Sequence, residues 1–234
     1  MVIYGKNTVI EALNKRKDIK KIYVTENNLP LVNKNYHGKA MVIVKTLKEM
    51  DMLFKGNHQG IALEIDEYEY LSLEELLSKA NKKEDFAVAI LDGLDDPHNL
   101  GAIMRTADAT GIDGLIIPKN RSVSLNETVA KVSTGAIEYV DTVQVTNLNQ
   151  TIEKLKKNGF WIVGLDMDGE MSYTDYDFRG KVAVVVGNEG KGISRLVKEN
   201  CDTIVSIPMV GHVNSLNASV SCSIIFYEIL RKRG

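Results

Sequence analysis

The chain is poor in the residues that most often build covalent or metal chemistry. Only two of its 234 residues are cysteine. Cys201 and Cys222 show no metal-ligand spacing, so they read as buried thiols of a reducing compartment. The four histidines, His37, His58, His98 and His212, stand far apart and form no ligand pattern, and no metal is expected. Neither serine nor cysteine occupies a nucleophile elbow. Gly187 to Ser194 lacks the spacing of a phosphate-cradling P-loop, and Gly187, Gly190 and Gly192 are out of step for a dinucleotide fingerprint. There is no internal repeat and no low-complexity tract. The start, Met1 to Arg16, carries Lys6 and Glu11 inside its apolar pattern and does not read as a signal peptide, so a cytoplasmic protein is expected. Formal charge is missing from Thr203 through Tyr227, a run long enough to raise a membrane span. Ser206, Pro208, Gly211, Asn217, Ser219, Ser221 and Ser223 interrupt it, so a buried soluble segment is the better reading and no membrane partner is expected.

What is present is an ordinary globular composition, 44% hydrophobic and 26% charged, with length for two domains. The net charge of −2 conceals an asymmetry. Residues 1–60 hold 11 Lys and Arg against 5 Asp and Glu, a net of +6, while the remainder is −8. Segregated charge of this kind suggests a first domain that faces a polyanion. Lys15, Arg16, Lys17, Lys20 and Lys21 form the densest basic cluster.

In the first 70 residues, Val9, Ile10 and Leu13 predict a helix. Residues 19–25, 41–44 and 61–65 predict strands, and Thr46 with Glu49 has capping-box spacing for a short helix through Phe54. Asn57-His58-Gln59-Gly60 is a turn. This is a small α/β domain over 1–70, followed by a linker over 71–85 whose helix is capped by Ser72 and Glu75. A second domain over 86–234 alternates strands (86–91, 115–117, 140–145, 160–165, 182–186) with helices, which argues a parallel sheet covered on both faces. Asn99 is expected as the N-cap of a helix through Thr110.

The stretch from Val182 to Tyr227 organises this second domain. Val182-Ala183-Val184-Val185-Val186 reads as a strand buried on both faces and breaks into Gly187-Asn188-Glu189-Gly190-Lys191-Gly192. Ile204 to Ser206 reads as another, ending in a loop with Pro208 and Gly211. Loops at the carboxyl ends of parallel strands face one crevice, where ligands of open α/β sheets bind. Asn99 and Arg105 flank the start of a helix in the same domain, and Arg suits bidentate contact with phosphate.

These segments carry a resemblance. Asn99-Leu100-Gly101-Ala102-Ile103-Met104-Arg105-Thr106-Ala107, the Gly187–Gly192 loop, and Ile207-Pro208-Met209 with Ser215-Leu216-Asn217-Ala218-Ser219 resemble the three motifs of the SpoU (TrmH-type) branch of the SPOUT methyltransferases. Gly5-Lys6-Asn7 and His58-Gln59-Gly60 resemble the small L30e-like RNA-binding domain that precedes the catalytic domain in many members. Asp96-Pro97-His98-Asn99-Leu100-Gly101 and Ile116-Ile117-Pro118-Lys119 look most like RlmB-type enzymes, which act on 23S ribosomal RNA.

The resemblance implies a knotted, trefoil C-terminal domain, S-adenosylmethionine as methyl donor without a metal, and transfer to a ribose 2′-hydroxyl of RNA. Ribosomal RNA is the leading substrate, with transfer RNA or a catalytically idle RNA-binding factor as alternatives. It further implies a homodimer. Arg105, Asn99, Glu189, Ser215 and Asn217 would be catalytic. Gly187, Asn188, Gly190, Ile207, Met209, Leu216 and Asn217 would hold the cofactor. His212-Val213-Asn214 carries no expected role.

Overall fold

In the computed structural model, which describes residues 1–212 and 215–234, the chain forms β1 (Val2–Tyr4), α1 (Lys6–Lys15), β2 (Ile19–Val24), α2 (Leu29–Asn35), β3 (Met41–Val44), α3 (Leu47–Leu53) and β4 (Ile61–Ile65). There follow α4 (Leu73–Ala80), β5 (Phe86–Asp92), α5 (Pro97–Thr110), β6 (Gly114–Pro118), α6 (Glu127–Val132), β7 (Thr142–Val145) and α7 (Leu148–Lys157). The last elements are β8 (Trp161–Leu165), β9 (Met171–Ser172), β10 (Lys181–Gly187), α8 (Arg195–Glu199), β11 (Thr203–Ser206) and α9 (Ala218–Arg233). Val213 and Asn214, in the stretch with no expected role, lie outside the described residues. Among the described residues no helix is long and apolar enough to cross a membrane.

The chain divides into two units, and the division departs from the one read in the sequence. The first comprises Met1–Glu69 together with Leu125–Tyr139. Its sheet has the order β1-β4-β2-β3, with β4 antiparallel to β1 and β2, and β2 parallel to β3. The expected capping box forms: Glu49 N–H donates to the Thr46 hydroxyl at 3.3 Å, and Thr46 N–H donates to the Glu49 carboxylate at 2.8 Å. Donors from Thr46, helped by Lys45, pull the Glu49 carboxyl down to about 2.

Residues 125–139, expected inside the second domain, belong to this first unit instead. The α6 helix packs on β1, the Thr8 hydroxyl donates to the Ala130 carbonyl at 3.3 Å, and Val129, Ala130 and Ile137 are buried. Their apolar faces find cover there, which no local pattern could announce.

The whole unit is far less basic than residues 1–60, because Glu64, Asp66, Glu67 and Glu69 follow them and residues 125–139 add a further net −1. The first unit holds 12 Lys and Arg against 11 Asp and Glu, a net of +1 rather than +6. Most of the basic cluster is also engaged. Arg16 forks onto Asp18, its Nε donating at 2.9 Å, and stacks on the Tyr68 ring with Glu138 3.6 Å away. Lys20 pairs with Asp66, Lys21 pairs with Glu64, and the Lys15 ammonium lies over the Tyr139 ring. Glu138 is 5% exposed and accepts from the Tyr68 hydroxyl at 2.8 Å; burial pushes its carboxyl up.

The second unit, Tyr70–Ser124 with Val140–Gly234, contains the parallel sheet in the order β7-β6-β5-β10-β8-β11-β9, and every pairing in it is parallel. The centre of β5 and β10 is buried on both faces, as their uninterrupted apolar runs predict. On one face Val88, Ile90, Ala183 and Val185 pack with Leu76 of α4, Ile152 and Leu155 of α7 and Val197 of α8. Residues 71–85 therefore do more than link: α4 contributes Leu73, Leu76 and Ala80 to this core, and Leu71 bridges to Val143. On the other side α5 packs against α9, and α9 against β10.

Strands β5, β6 and β7 run outward in one direction, whereas β8 and β11 lie on the other side of β10. The late strand β10 fills a slot between β5 and β8, both laid down earlier in the chain. That order is consistent with the threaded, knotted domain that the resemblance implies. Sequence periodicity alone would have drawn an unknotted sheet, because knots are nearly absent from proteins.

Candidate active site

The carboxyl ends of β8, β10 and β11 open into one cavity of about 510 Å³. Its floor is Leu165, Val186 and Ile193; the segment after β11 adds Ile207, Met209, Ser215 and Leu216; the glycine loop adds residues 187–192. Six of the seven residues expected to hold the cofactor line it: Gly187, Asn188, Gly190, Ile207, Met209 and Leu216. Of the five expected catalytic residues, Glu189 and Ser215 line it.

The glycine loop is a closed hairpin. Gly192 N–H donates to the Asn188 carbonyl at 2.8 Å, and a Cβ built on Gly187 would lie 2.1 Å from the Gly192 carbonyl carbon. Position 187 therefore has no room for a side chain, since the loop's own backbone fills the space. Gly192 itself adopts φ +66°, where glycine is unstrained. Asn188 fixes the hairpin by donating from Nδ2 to the Gly93 carbonyl (2.9 Å) and accepting at Oδ1 from Gly190 N–H (2.9 Å). Its side-chain polar atoms thus serve the loop.

Asn99 is not the cap of α5. Asp96 takes that place, accepting from His98 N–H at 2.9 Å, with Pro97 in the first turn. An aspartate directly before a proline is itself a start signal, because proline lacks the N–H that goes unpaired there. The displacement frees the Asn99 side chain. Its Nδ2 donates to Glu189 Oε1 at 2.5 Å, and its Oδ1 accepts from Asn217 Nδ2 at 2.9 Å. Asn217 caps α9, its Oδ1 accepting from Ser219 N–H at 2.9 Å and from the Ser219 hydroxyl.

This relay has only one consistent polarity. A backbone N–H can only donate, so Asn217 must turn its oxygen to α9 and its NH₂ to Asn99. Asn99 must then turn its oxygen to Asn217 and its NH₂ to Glu189, where an ionised carboxylate accepts. Three expected catalytic residues from three separated segments are thereby joined at the cavity's rim.

Arg105 is not part of this chain. It is exposed and has no hydrogen-bond or ion-pair partner among the described residues. One residue on, the Thr106 hydroxyl meets Ser223 of α9 at 3.1 Å, which fixes α5 against α9 and leaves Arg105 on an open face.

Sequence reasoning missed one wall. Asp166, Met167 and Asp168 follow β8, and with Lys198 they line the cavity. The strand-end rule that located the other two loops applies equally to β8. Lys198 pairs with Asp166 at 3.1 Å and Asp168 at 3.3 Å, and these carboxylates raise its ammonium against the burial that lowers it. Burial pushes the Cys201 thiol up to about 11 and that of Cys222 higher still, which disfavours the nucleophilic thiolate at both. Among the described residues no group of His, Cys, Asp and Glu could hold a metal ion.

Comparison with known proteins matches this geometry to a class. The SpoU rRNA methylase family matches residues 86–227, and residues 2–71 match the domain described as RNA 2′-O ribose methyltransferase substrate binding. The chain belongs to the SpoU methylase family and is an S-adenosylmethionine-dependent RNA methyltransferase. A Staphylococcus aureus (strain MSSA476) protein named as a TrmH family tRNA/rRNA methyltransferase is 48% identical over 99% of this chain and 96% of its own. The SpoU methyltransferase AviRb from Streptomyces viridochromogenes, solved in complex with AdoMet, shares the fold at 24% identity and a TM-score of 0.83, covering 100% of this chain and 90% of its own. The A. aeolicus TrmH/SpoU tRNA modifying enzyme is 31% identical over 69% of this chain and 84% of its own, with a TM-score of 0.59.

The cavity fits that cofactor. Its volume lies in the range of small-molecule sites, with apolar residues for a purine and a few polar groups to orient the rest.

Proposed function

We propose that the protein methylates a ribose 2′-hydroxyl of ribosomal RNA, a guanosine of 23S RNA being the leading target, and that it works as a cytoplasmic homodimer. The observation that carries the reading is the Glu189–Asn99–Asn217 relay at the rim of the cofactor cavity. S-adenosylmethionine, when bound, supplies an electrophilic methyl on sulfur. The protein's part is to hold the hydroxyl in line with that methyl and to stabilise the charge that develops on oxygen.

Arg105 suits the second task. Guanidinium does not surrender its proton in proteins, so Arg105 acts as a cation beside the developing alkoxide and the target phosphate, while an RNA phosphate oxygen or water takes the proton. Its exposure, with no partner among the described residues, supports this, because an arginine already closed onto a carboxylate would have to break that pair first. Asn99, Glu189, Ser215 and Asn217 position the nucleotide at the rim. Gly187, Asn188, Gly190, Ile207, Met209 and Leu216 enclose the adenosine.

In the first unit the two segments that resemble an RNA-binding domain meet. Gln59 Oε1 accepts from Lys6 N–H at 2.7 Å at the start of α1, and His58 Nδ1 accepts from Gly60 N–H at 3.0 Å. This supports an RNA-facing edge built from residues 5–7 and 58–60. The family match over residues 2–71, rather than net charge, now supports RNA binding there. For the dimer, Val220, Tyr227 and Leu230 remain exposed on α9, an apolar side suited to a second copy.

The test is methyl transfer from radiolabelled cofactor to unmodified total RNA, followed by alkaline hydrolysis. A 2′-O-methyl group blocks cleavage at its own linkage, because the 2′-hydroxyl is the attacking group. Label in alkali-resistant dinucleotides from 23S RNA is the expected result. Label confined to transfer RNA would move the substrate, and no label would leave an idle RNA-binding factor.

A further inference from the structure

The wall that sequence reasoning missed holds a carboxylate with one oxygen committed and the other open. Asp166 follows β8 directly, and its main-chain N–H donates to the Val205 carbonyl of β11 at 3.0 Å. Its Oδ1 accepts from Asp168 N–H at 3.2 Å and from the Lys198 ammonium at 3.1 Å. The side chain is only 13% exposed. Its Oδ2 has no partner among the described residues. A Cβ built on Gly192 would lie 3.5 Å from that oxygen, so Oδ2 stands beside Gly192 of the glycine hairpin, and both residues line the cavity.

We infer that Asp166 is the residue by which the protein recognises the ribose of its methyl donor, Oδ2 accepting from the ribose hydroxyls. The inference rests on the cavity being the S-adenosylmethionine site. The geometry has a physical parallel in dinucleotide-binding sheets, where an acidic residue bonds a ribose hydroxyl near a glycine-rich turn. Here the turn follows β10 and the carboxylate ends β8, its hydrogen-bonded neighbour. A lone carboxylate beside a loop would swing. Lys198 and the Asp168 N–H hold Asp166 through Oδ1, which leaves Oδ2, beside Gly192, with its lone pairs for a donor in the cavity that Asp166 lines. Lys198, paired with two carboxylates, also removes the excess negative charge that would otherwise favour binding a bare cation. Asp166 does not touch the methyl or its acceptor, so it acts on cofactor affinity and not on the reacting atoms.

The test uses the full chain without RNA and measures binding by calorimetry. The probes are S-adenosylhomocysteine and its 2′-deoxy and 3′-deoxy analogues. Wild-type protein should bind at least one deoxy analogue roughly tenfold or more weakly, the size expected when a hydrogen bond to a charged acceptor is lost. In Asp166→Ala the parent ligand should weaken by a similar factor and the discrimination should collapse to about one. Asp166→Asn keeps an acceptor oxygen and should retain part of it. Equal affinity of wild type for the parent and both deoxy ligands would overturn the inference without any variant. Discrimination that survives in Asp166→Ala, or in Asp166→Asn beyond the wild-type ratio, would overturn it as well. Failure of wild type to bind S-adenosylhomocysteine at all would instead sink the cofactor reading on which the inference stands.

Discussion

The basic cluster of the first unit and the cavity loops of the second treat their polar side chains in opposite ways. In the first, charge is closed on itself: Arg16 onto Asp18 and Glu138, Lys20 onto Asp66, Lys21 onto Glu64. In the second, polar groups at strand ends are satisfied on one side and open on the other. Asp166 is anchored through Oδ1 and Glu189 through Oε1, while Arg105 has no partner among the described residues. A run of cations in sequence therefore does not mark a ligand site when the fold supplies anions to meet it. Position at the carboxyl end of a buried parallel strand is the better guide, because backbone geometry brings those loops together whatever their charge.

The largest expected effect is at the hairpin that closes the cavity. Gly187→Ala should abolish cofactor binding, because the added Cβ falls 2.1 Å from the Gly192 carbonyl carbon. A bulkier residue is not needed, since the clash is with the loop and not with the pocket's contents. Calorimetry would show it, and binding within a few fold of wild type would mean the hairpin has a second arrangement.

Next come two arginines, one open and one closed. Arg105→Ala should lower the single-turnover methyl-transfer rate by roughly a hundredfold or more, the size seen for losing one donor to developing charge. Cofactor affinity should hardly change, and Arg105→Lys should recover part of the rate because it keeps the charge without the planar fork. Near-wild-type turnover would leave Arg105 as an ordinary surface side chain.

Arg16→Ala should do the reverse, costing about 3 kcal/mol of stability by stranding the buried Glu138 carboxyl and leaving cofactor affinity intact. Its pH dependence has a definite sign. Burial raises the Glu138 carboxyl above the ordinary glutamate value of 4.5, so the folded form favours the neutral acid. That contribution is fullest below about pH 4.5 and is lost as pH rises through the folded value. Without Arg16 the shift grows, so the variant should lose more stability at pH 8 than at pH 4.5. Chemical denaturation at both values would show whether it does.

Much of the second unit was legible because its signals are local. The apolar runs of β5 and β10, the glycines that end them and the three motifs need no distant partner to be read. Both capping boxes formed as spaced, for the same reason. What stayed hidden depends on partners far along the chain. Arg16 meets Glu138 across more than a hundred residues, and α6 covers β1 from within a segment that sequence order assigns elsewhere. The Asn99 cap was misread for a local reason: Asp96-Pro97 outranks an asparagine two residues later. Asp166 was overlooked although its strand was recognised, because an isolated carboxylate carries no motif.

The smallest expected effect separates two kinds of helix cap. Thr46 and Glu49 close on each other and serve α3 alone. Asn217 caps α9 with its oxygen and reaches Asn99 with its nitrogen. Serine caps about as well as asparagine, its hydroxyl accepting from the same backbone N–H. It is too short to bridge to Asn99 as well. Asn217→Ser should therefore keep the melting temperature within a degree or two of wild type by roughly equal capping. It should nonetheless lower turnover about tenfold, the worth of one hydrogen bond that positions the substrate's neighbours. Freed from Asn217, the Asn99 amide can rotate and offer its oxygen to Glu189, which repels it. Turnover lost in proportion to stability would show that Asn217 is only a cap, like Thr46, and that the relay does not position the site.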